Sequence, residues 1–346
     1  MAVTKEFFGK TKAGQEIDKF WIENKAGMKA AVINFGGILT NLFVKDKNGT
    51  LADVVLGYDD FASYERDGNC FGAIVGPSAN RISGAAFEID GVVYEIDKNN
   101  GENNLHSHFD LGYHKRVFDA AEGTDSVCFS LKDEDGSLGF PGNRVVKVTY
   151  TLNDENELHI HYEVTSDKKT LINMTNHSYF NLKGQGQGDV LNHVLEIKSS
   201  HTTKIREGMI PTGELFEVVG TALDFTAPKT IGQDIQKDEE QMKLGYGYDH
   251  NFVIAQADGT MREAAIVTEP TTGRTMKVYT TLPGVQFYAA NGMNQKGAKG
   301  GVTYGPKSAF CLETQYFPDS IHQPEFPSVV FGPDRKYDSE TVYKFC

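Results

Sequence analysis

The chain has 346 residues and carries 47 Asp and Glu against 34 Lys and Arg, a formal charge of −13. At 39% hydrophobic and 23% charged residues it is too apolar for a disordered chain, and its acidity argues against nucleic acid or anionic membrane as the main partner. No apolar run approaches the ~18 residues of a membrane span, Lys5, Glu6, Lys10 and Lys12 leave no room for a secretory signal, and four scattered cysteines (Cys70, Cys128, Cys311, Cys346) read as reduced thiols of a cytoplasmic protein.

Thirty-six glycines separate short runs rich in Val, Ile, Phe, Tyr and Thr, which is strand-and-turn punctuation. Taken in chain order, Lys47-Asn48-Gly49 predicts a hairpin between Leu42–Val44 and Val54–Leu56, and Asp60–Arg66 a short helix. Asp90-Gly91 predicts a second hairpin turn, before the alternating Val92, Tyr94 and Ile96. The strongest pair is Val146, Val148, Tyr150, Leu152 and then Leu158, Ile160, Tyr162, Val164, split by Asn153–Asn156; strict period-two alternation means each arm buries one face. The polar segment Ile231–Leu244 suits a single helix, and Met276–Thr281 and Val285–Tyr288 flank Pro283-Gly284 as strand, turn, strand. No repeat, low-complexity tract or linker interrupts the pattern. The expectation is one all-β domain over residues 1–346, a large antiparallel β-sandwich.

Four polar clusters interrupt this strand-like sequence. In the first, Gly76-Pro-Ser-Ala-Asn80-Arg81, an amide and a guanidinium fork can bind hydroxyl or ring oxygens, although a turn Asn with a surface Arg explains the same residues. The second, Asn103-Asn-Leu105-His106-Ser-His108 with His114 beyond, sets two histidines at i and i+2 on one strand face. That raises a metal site, but with no nearby cysteine and no HExxH spacing the better reading is a hydrogen-bonding histidine in a polar cleft and no metal. His159 and His161 sit on the wet face of their strand. The third cluster, Thr175-Asn176-His177-Ser178-Tyr179, follows Leu171–Met174 and puts His177 at a strand end, where it serves either as a structural histidine or as a proton donor near neutrality. In the fourth, alternation puts Ala309, Cys311, Glu313 and Gln315 on one face. A carboxylate between apolar flanks is partly buried, which raises its pKa toward that of a general base. Asp249, after the glycine-rich Gly245–Gly247, and Gln286 can accept from or donate to sugar hydroxyls, and Phe287 or Tyr288 can stack on a sugar face.

Asn80-Arg81-Ile82, Asn104-Leu105-His106, Asn176–Leu182, Tyr248–Phe252, Pro283–Tyr288 and Cys311–Gln315 occur in an order that resembles the aldose 1-epimerase (galactose mutarotase) family over nearly the whole chain. The resemblance implies a mutarotase-type sandwich, no cofactor, and interconversion of the α and β anomers of hexopyranoses such as galactose and glucose. By position, His177 is the general acid at the ring oxygen and Glu313 the base at the C1 hydroxyl. His106 polarises the same region, and Asn80, Arg81, Ser178, Tyr179, Asp249 and Gln286 bind the sugar. The chemistry suits these residue types: opening a hemiacetal removes a proton from O1 and adds one to O5, and the ring recloses with the roles reversed. Such groups are expected to titrate near pH 6–7.

Two departures stand out. Family members commonly carry Leu-His-Gly-Gly where this chain has Leu105-His106-Ser107-His108, and Gly-Arg-x-Ala-Asn-Arg where it has Gly76-Pro-Ser-Ala-Asn-Arg81. Ser107 and His108 are expected to fill space near the ligand, which leaves room for a mutarotase that prefers a disaccharide such as maltose. A non-catalytic carbohydrate-binding sandwich is the rival from another class. The protein is expected to be a monomer or a weak homodimer.

Overall fold

The computed structural model describes residues 2–254 and 258–346. Strand and turn dominate, and the large sheets are antiparallel throughout. A five-stranded meander runs in sequence order from Ala2–Lys10 to Leu51–Asp53. A nine-stranded sheet has the predicted pair, Arg144–Leu152 and Glu157–Ser166, near its middle, in register from Arg144↔Ser166 to Leu152↔Leu158. Val146, Val148, Tyr150, Leu158, Ile160 and Tyr162 are buried along one face as alternation requires, each contributing on the order of 1.5–3 kcal/mol.

A second five-stranded sheet carries the site. Its order is Ile210–Glu217, His201–Arg206, Asp249–Val253, Gly284–Tyr288 and Cys311–Gln315. Phe252, Val285, Phe287 and Leu312 join the main apolar core on one face. There Tyr343 donates its hydroxyl to the Leu312 carbonyl at 3.0 Å and Thr314 meets Thr341, tying the sheet to the nine-stranded one. The opposite face presents a polar row in register, Asn251↔Gln286 and Gln286↔Glu313. The sandwich thus buries one side of this sheet and turns the other into the floor of a cleft.

Three expectations shift. The helix expected over Ile231–Leu244 forms only at Glu240–Leu244; at the start of the segment Ile231 N–H donates to the His193 carbonyl and Gly232 N–H to the Leu191 carbonyl, beside the short strand Lys229–Thr230. The strand expected at Val54–Leu56 instead forms at Leu51–Asp53; Val54 and Leu56 pair with Asn181 and Tyr179 by backbone hydrogen bonds that reach toward the cleft. Met276–Thr281 and Val285–Tyr288 are strands around Pro283-Gly284, but they belong to different sheets, so the turn carries the chain between layers. The short helix holds as Phe61–Arg66, capped by Asp60 accepting from Ser63 N–H at 2.9 Å.

Arg144, fully buried, donates to Asp133 at 2.8 Å and to the carbonyls of Phe140 and Pro141, so its charge is both paired and hydrogen-bonded. Three histidines are buried as neutral connectors. His114 donates Nε2–H to the Phe109 carbonyl, His193 accepts from Leu182 N–H, and His250 bonds the Gln241 carbonyl. Burial lowers each of the three to about 4. An unfolded chain takes up protons near pH 6.5 that the folded one refuses, so stability falls as pH falls through that window. Between pH 6.5 and 5 the urea-unfolding free energy should drop with a slope of up to about 4 kcal/mol per pH unit. A profile that stays flat in Glu313→Gln, which removes the opposing slope of the raised Glu313 carboxyl, would show that these histidines are solvated.

Candidate active site

Two two-residue ribbons and one edge strand assemble the cleft. Thr175–Asn176 pairs with Ile74–Val75, and the next residue, His177, is locked by N–H donation to the Ala73 carbonyl at 2.8 Å while its own carbonyl accepts from Gly72 N–H. Arg81–Ile82 pairs with Asn104–Leu105. At its ends Asn80 and His106 both hold left-handed backbone, φ 57° and 56°, a conformation costly for residues with a side chain. Each stabilises the other: His106 N–H donates to the Asn80 carbonyl at 3.0 Å, and Asn80 N–H donates to His106 Nδ1 at 3.1 Å. That second bond fixes the proton on His106 Nε2, making it a donor.

Glu313 comes from the edge strand Cys311–Gln315, with Oε2 3.7 Å from His177 Nε2. Both are nearly sealed from bulk solvent, 3% and 7% exposed. Burial, reinforced by the negative charge of Asp249, holds the Glu313 carboxyl well above its ordinary range, and burial lowers His177 to about 4. The expected titration near pH 6–7 is therefore corrected. Desolvation favours the neutral form of each group and drives the two in opposite directions. His177 Nδ1 lies 3.6 Å from Cys311 Sγ, and its ring stacks on Tyr179 with centroids 4.8 Å apart and planes at 19°. The Cys311 thiol, buried and pushed above its usual range, stays protonated.

A cavity of about 300 Å³ is lined by Asn80, Arg81, His106, His177, Tyr179, Asp249, Gln286, Tyr288 and Glu313, with Gly68–Cys70, Leu105 and Phe109 completing the walls. Eight of the nine sequence-predicted site residues, all but Ser178, therefore meet in one place. Gln286 donates to Asp249 at 2.6 Å and accepts from Gln315 at 3.3 Å, so its amide orientation is set from behind. Arg81 is braced by Asn100 and Met209, which leaves other N–H groups of its guanidinium for a ligand.

The structure moves several residues out of their expected roles. Ser178 does not line the cavity: its hydroxyl and its N–H both donate to Asn176 Oδ1, and Asn176 in turn donates to the Gly72 carbonyl, so the pair buttresses His177 from behind. Phe287 packs into the core against Phe225 and Tyr248, leaving Tyr288 at the cavity. His106 and His108 do not share a strand face, because the strand ends at Leu105 and the left-handed backbone of His106 and Ser107 separates the rings. His108 Nδ1 accepts from Asp110 N–H instead. Ser107, expected to intrude on the ligand, is fully buried away from the cavity, donating to the Ser78 carbonyl and accepting from Ser78 N–H. Sequence reasoning passed over Asn69, Cys70 and Phe109 as cavity residues; only Phe109, an aromatic inside a polar cluster, carried any signal.

Among the described residues, possible metal ligands converge at His106, His177 and Glu313, whose donor atoms lie within 4.8 Å of one another. His106 fits poorly as a ligand there. One of its nitrogens accepts from Asn80 N–H and the other carries the proton, so neither offers a free lone pair.

The cavity of this antiparallel sandwich sets a buried imidazole and a buried carboxyl 3.7 Å apart among hydrogen-bonding side chains. A family model for aldose 1-epimerase matches residues 18–344. The galactose mutarotases of Bos taurus and Homo sapiens are 39% and 38% identical, covering 100% and 99% of this chain and 99% and 98% of their own. The aldose 1-epimerase of Escherichia coli K12 is 35% identical over 96% of each chain. The solved structure of an aldose epimerase homologue from C. elegans superposes with a TM-score of 0.87 at 30% identity, covering 99% of both chains. The chain belongs to the aldose 1-epimerase family, a family of isomerases, and its substrate class is a small sugar.

Since the Ser178 hydroxyl serves Asn176 and not the ligand, Ser178→Ala should lower thermal stability by about 1 kcal/mol and leave the sugar Kd within about twofold. A tenfold weaker Kd by calorimetry would put that hydroxyl back on the sugar.

Proposed function

We propose that the protein is an aldose 1-epimerase that interconverts the α and β anomers of hexopyranoses, galactose and glucose among them, using His177 and Glu313 as the proton-transfer pair. The single observation that carries this reading is the 3.7 Å approach of His177 Nε2 to Glu313 Oε2 inside the cavity. At that separation the two groups titrate as one unit holding one proton. Burial keeps the resting pair neutral; the ionised form, carboxylate facing imidazolium, differs by one transfer between them. In that form Glu313 takes the O1 proton as His177 delivers one to O5, the C1–O5 bond breaks and the aldehyde forms. After rotation about C1–C2, attack by the C5 hydroxyl on either face of the aldehyde returns both protons.

His106, with its proton fixed on Nε2, donates to the developing charge at the ring oxygen. Arg81 and Asp249 compensate each other's charge while holding hydroxyls, and Asn80, Gln286 and Tyr179 complete the hydrogen-bonding wall. The Tyr179 face also supports the imidazolium by a cation–π contact. Every proton moves between sugar and side chain, so this scheme calls on no cofactor or metal. The acidic charge and the self-contained site suit a cytoplasmic protein that acts as one domain over residues 1–346, as a monomer or a weak homodimer, with no nucleic-acid or membrane partner.

Polarimetry on freshly dissolved α-galactose and α-glucose tests the assignment. Glu313→Gln should lower kcat by about 10²–10⁴-fold, the usual worth of one positioned proton-transfer group. Because the buried acid destabilises the fold once an unfolded chain can ionise it, the same variant should melt at a higher temperature than wild type at pH 7.5. Wild-type protein that binds these sugars without speeding their mutarotation would leave only the carbohydrate-binding reading. The pH profile is a separate check: a second proton enters the pair only as His177 titrates, so the acid limb of kcat/KM should fall at about pH 4. An acid limb centred at pH 6.5 would mean that the histidine is solvated.

A further inference from the structure

The proposed proton transfer uses one nitrogen of His177 and leaves the other to be accounted for. Nε2 faces Glu313 Oε2 at 3.7 Å, while Nδ1 meets Cys311 Sγ at 3.6 Å, a contact in the range of a hydrogen bond to sulfur. Among the described residues no other side-chain atom bonds Nδ1. Tyr179 covers one face of the ring, and Tyr288 and His106 meet it edge-on with centroids 6.4 and 5.5 Å away. Cys311 and Glu313 stand at i and i+2 on one strand, and both are buried. That spacing sets neighbours on a strand face about 6.6 Å apart, so a single strand can hold an imidazole by both of its nitrogens.

The chemistry at Nε2 decides which way the proton lies between Nδ1 and sulfur. A neutral Glu313 carboxyl can pass its proton to His177 only where the ring offers a lone pair, so the resting ring keeps Nε2 bare and carries its proton on Nδ1. His106 is held in the opposite tautomer, because Asn80 N–H occupies its Nδ1. The two histidines of the site thus divide the work: one presents a fixed N–H, the other a nitrogen that gains and loses a proton. The His177 carbonyl also attracts the ring proton, but it already accepts from Gly72 N–H. Sulfur is therefore the free acceptor, and a protonated thiol is a suitable one. It is a weak, neutral acceptor, strong enough to choose a tautomer. A carboxylate in its place, as in a serine-protease triad, would stabilise the imidazolium and hinder release of its proton to a ring oxygen.

We propose that Cys311 is a positioning residue for the proton transfer: its sulfur accepts the His177 Nδ1–H and so reserves Nε2 for exchange with Glu313 and the sugar. This rests on the mutarotase reading and deepens it. The first test needs no change at Cys311. Nitrogen NMR of protein labelled in its histidine rings, with His177 assigned by the signals lost in His177→Gln, should show Nδ1 protonated and Nε2 bare at neutral pH. Cys311→Ala should let the Nε2-protonated tautomer appear and lower kcat about three- to tenfold, the worth of one hydrogen bond, with KM for galactose within about twofold. Cys311→Ser keeps an acceptor in that place and should restore both the Nδ1–H signal and most of kcat. A wild-type ring protonated on Nε2 overturns the proposal, and so does a folded Cys311→Ala with tautomer and kcat unchanged. If the alanine variant does not fold, the wild-type spectrum and the serine variant decide. A wild type that mutarotates neither galactose nor glucose would instead overturn the mutarotase reading, a failure that the spectrum by itself cannot produce.

Discussion

The constraint on which the structure turns is the burial of an acid beside a base. In water a carboxyl and an imidazole 3.7 Å apart would be a carboxylate and a partly protonated ring near neutral pH and gain little from their proximity. With solvent excluded, desolvation pushes Glu313 up and His177 down until the neutral pair is preferred. Such a pair can exchange protons with a sugar in either direction, which a reaction that retraces its own steps requires. The same burial makes the arrangement expensive, because two ionisable groups are held where neither can ionise freely. The fold must therefore fix them firmly from outside.

That fixation comes from elements too short to stand alone. A two-residue ribbon has negligible stability by itself, yet two such ribbons place His177, Asn80, Arg81 and His106. They persist because the sandwich beneath them is large and because their own backbone groups are answered one by one. Asn176 bridges Gly72 and Ser178, and Asn80 and His106 brace each other's left-handed backbone. The edge strand bearing Glu313 is held by Thr314 and Leu312 to the nine-stranded sheet below, so the carboxyl stands on a strand tied to the largest sheet.

What the sequence made legible follows from how local each signal is. The 146–164 hairpin was readable, two residues short at its open end, because alternation and turn chemistry agree there without help from the rest of the chain. The polar face of Cys311–Gln315 was readable for the same reason. The 231–239 segment was not, since its backbone answers to His193 and Leu191, distant partners that leave no trace in local composition. Ser178 was misplaced because a motif gives adjacency and not direction: neighbouring residues at a strand end point opposite ways, and only His177 of the Asn-His-Ser triplet lines the cavity. The proton on His106 Nε2 was illegible too, being set by a backbone amide 26 residues away.

One departure from the family pattern, Ser107, is answered by backbone groups of the other motif. Ser107 and Ser78 lie in separate motifs, yet the Ser107 hydroxyl both donates to and accepts from the Ser78 backbone. A glycine at position 107 would leave those two buried backbone groups unanswered, a cost of about 1–3 kcal/mol for each unsatisfied partner. Ser107 thereby ties the base of the loop from His106 to His114 to the Gly76–Arg81 segment at the cavity wall. His108 then closes the turn by accepting from Asp110. Residues that look from sequence like intrusions on a ligand instead stabilise the loop that borders the cavity.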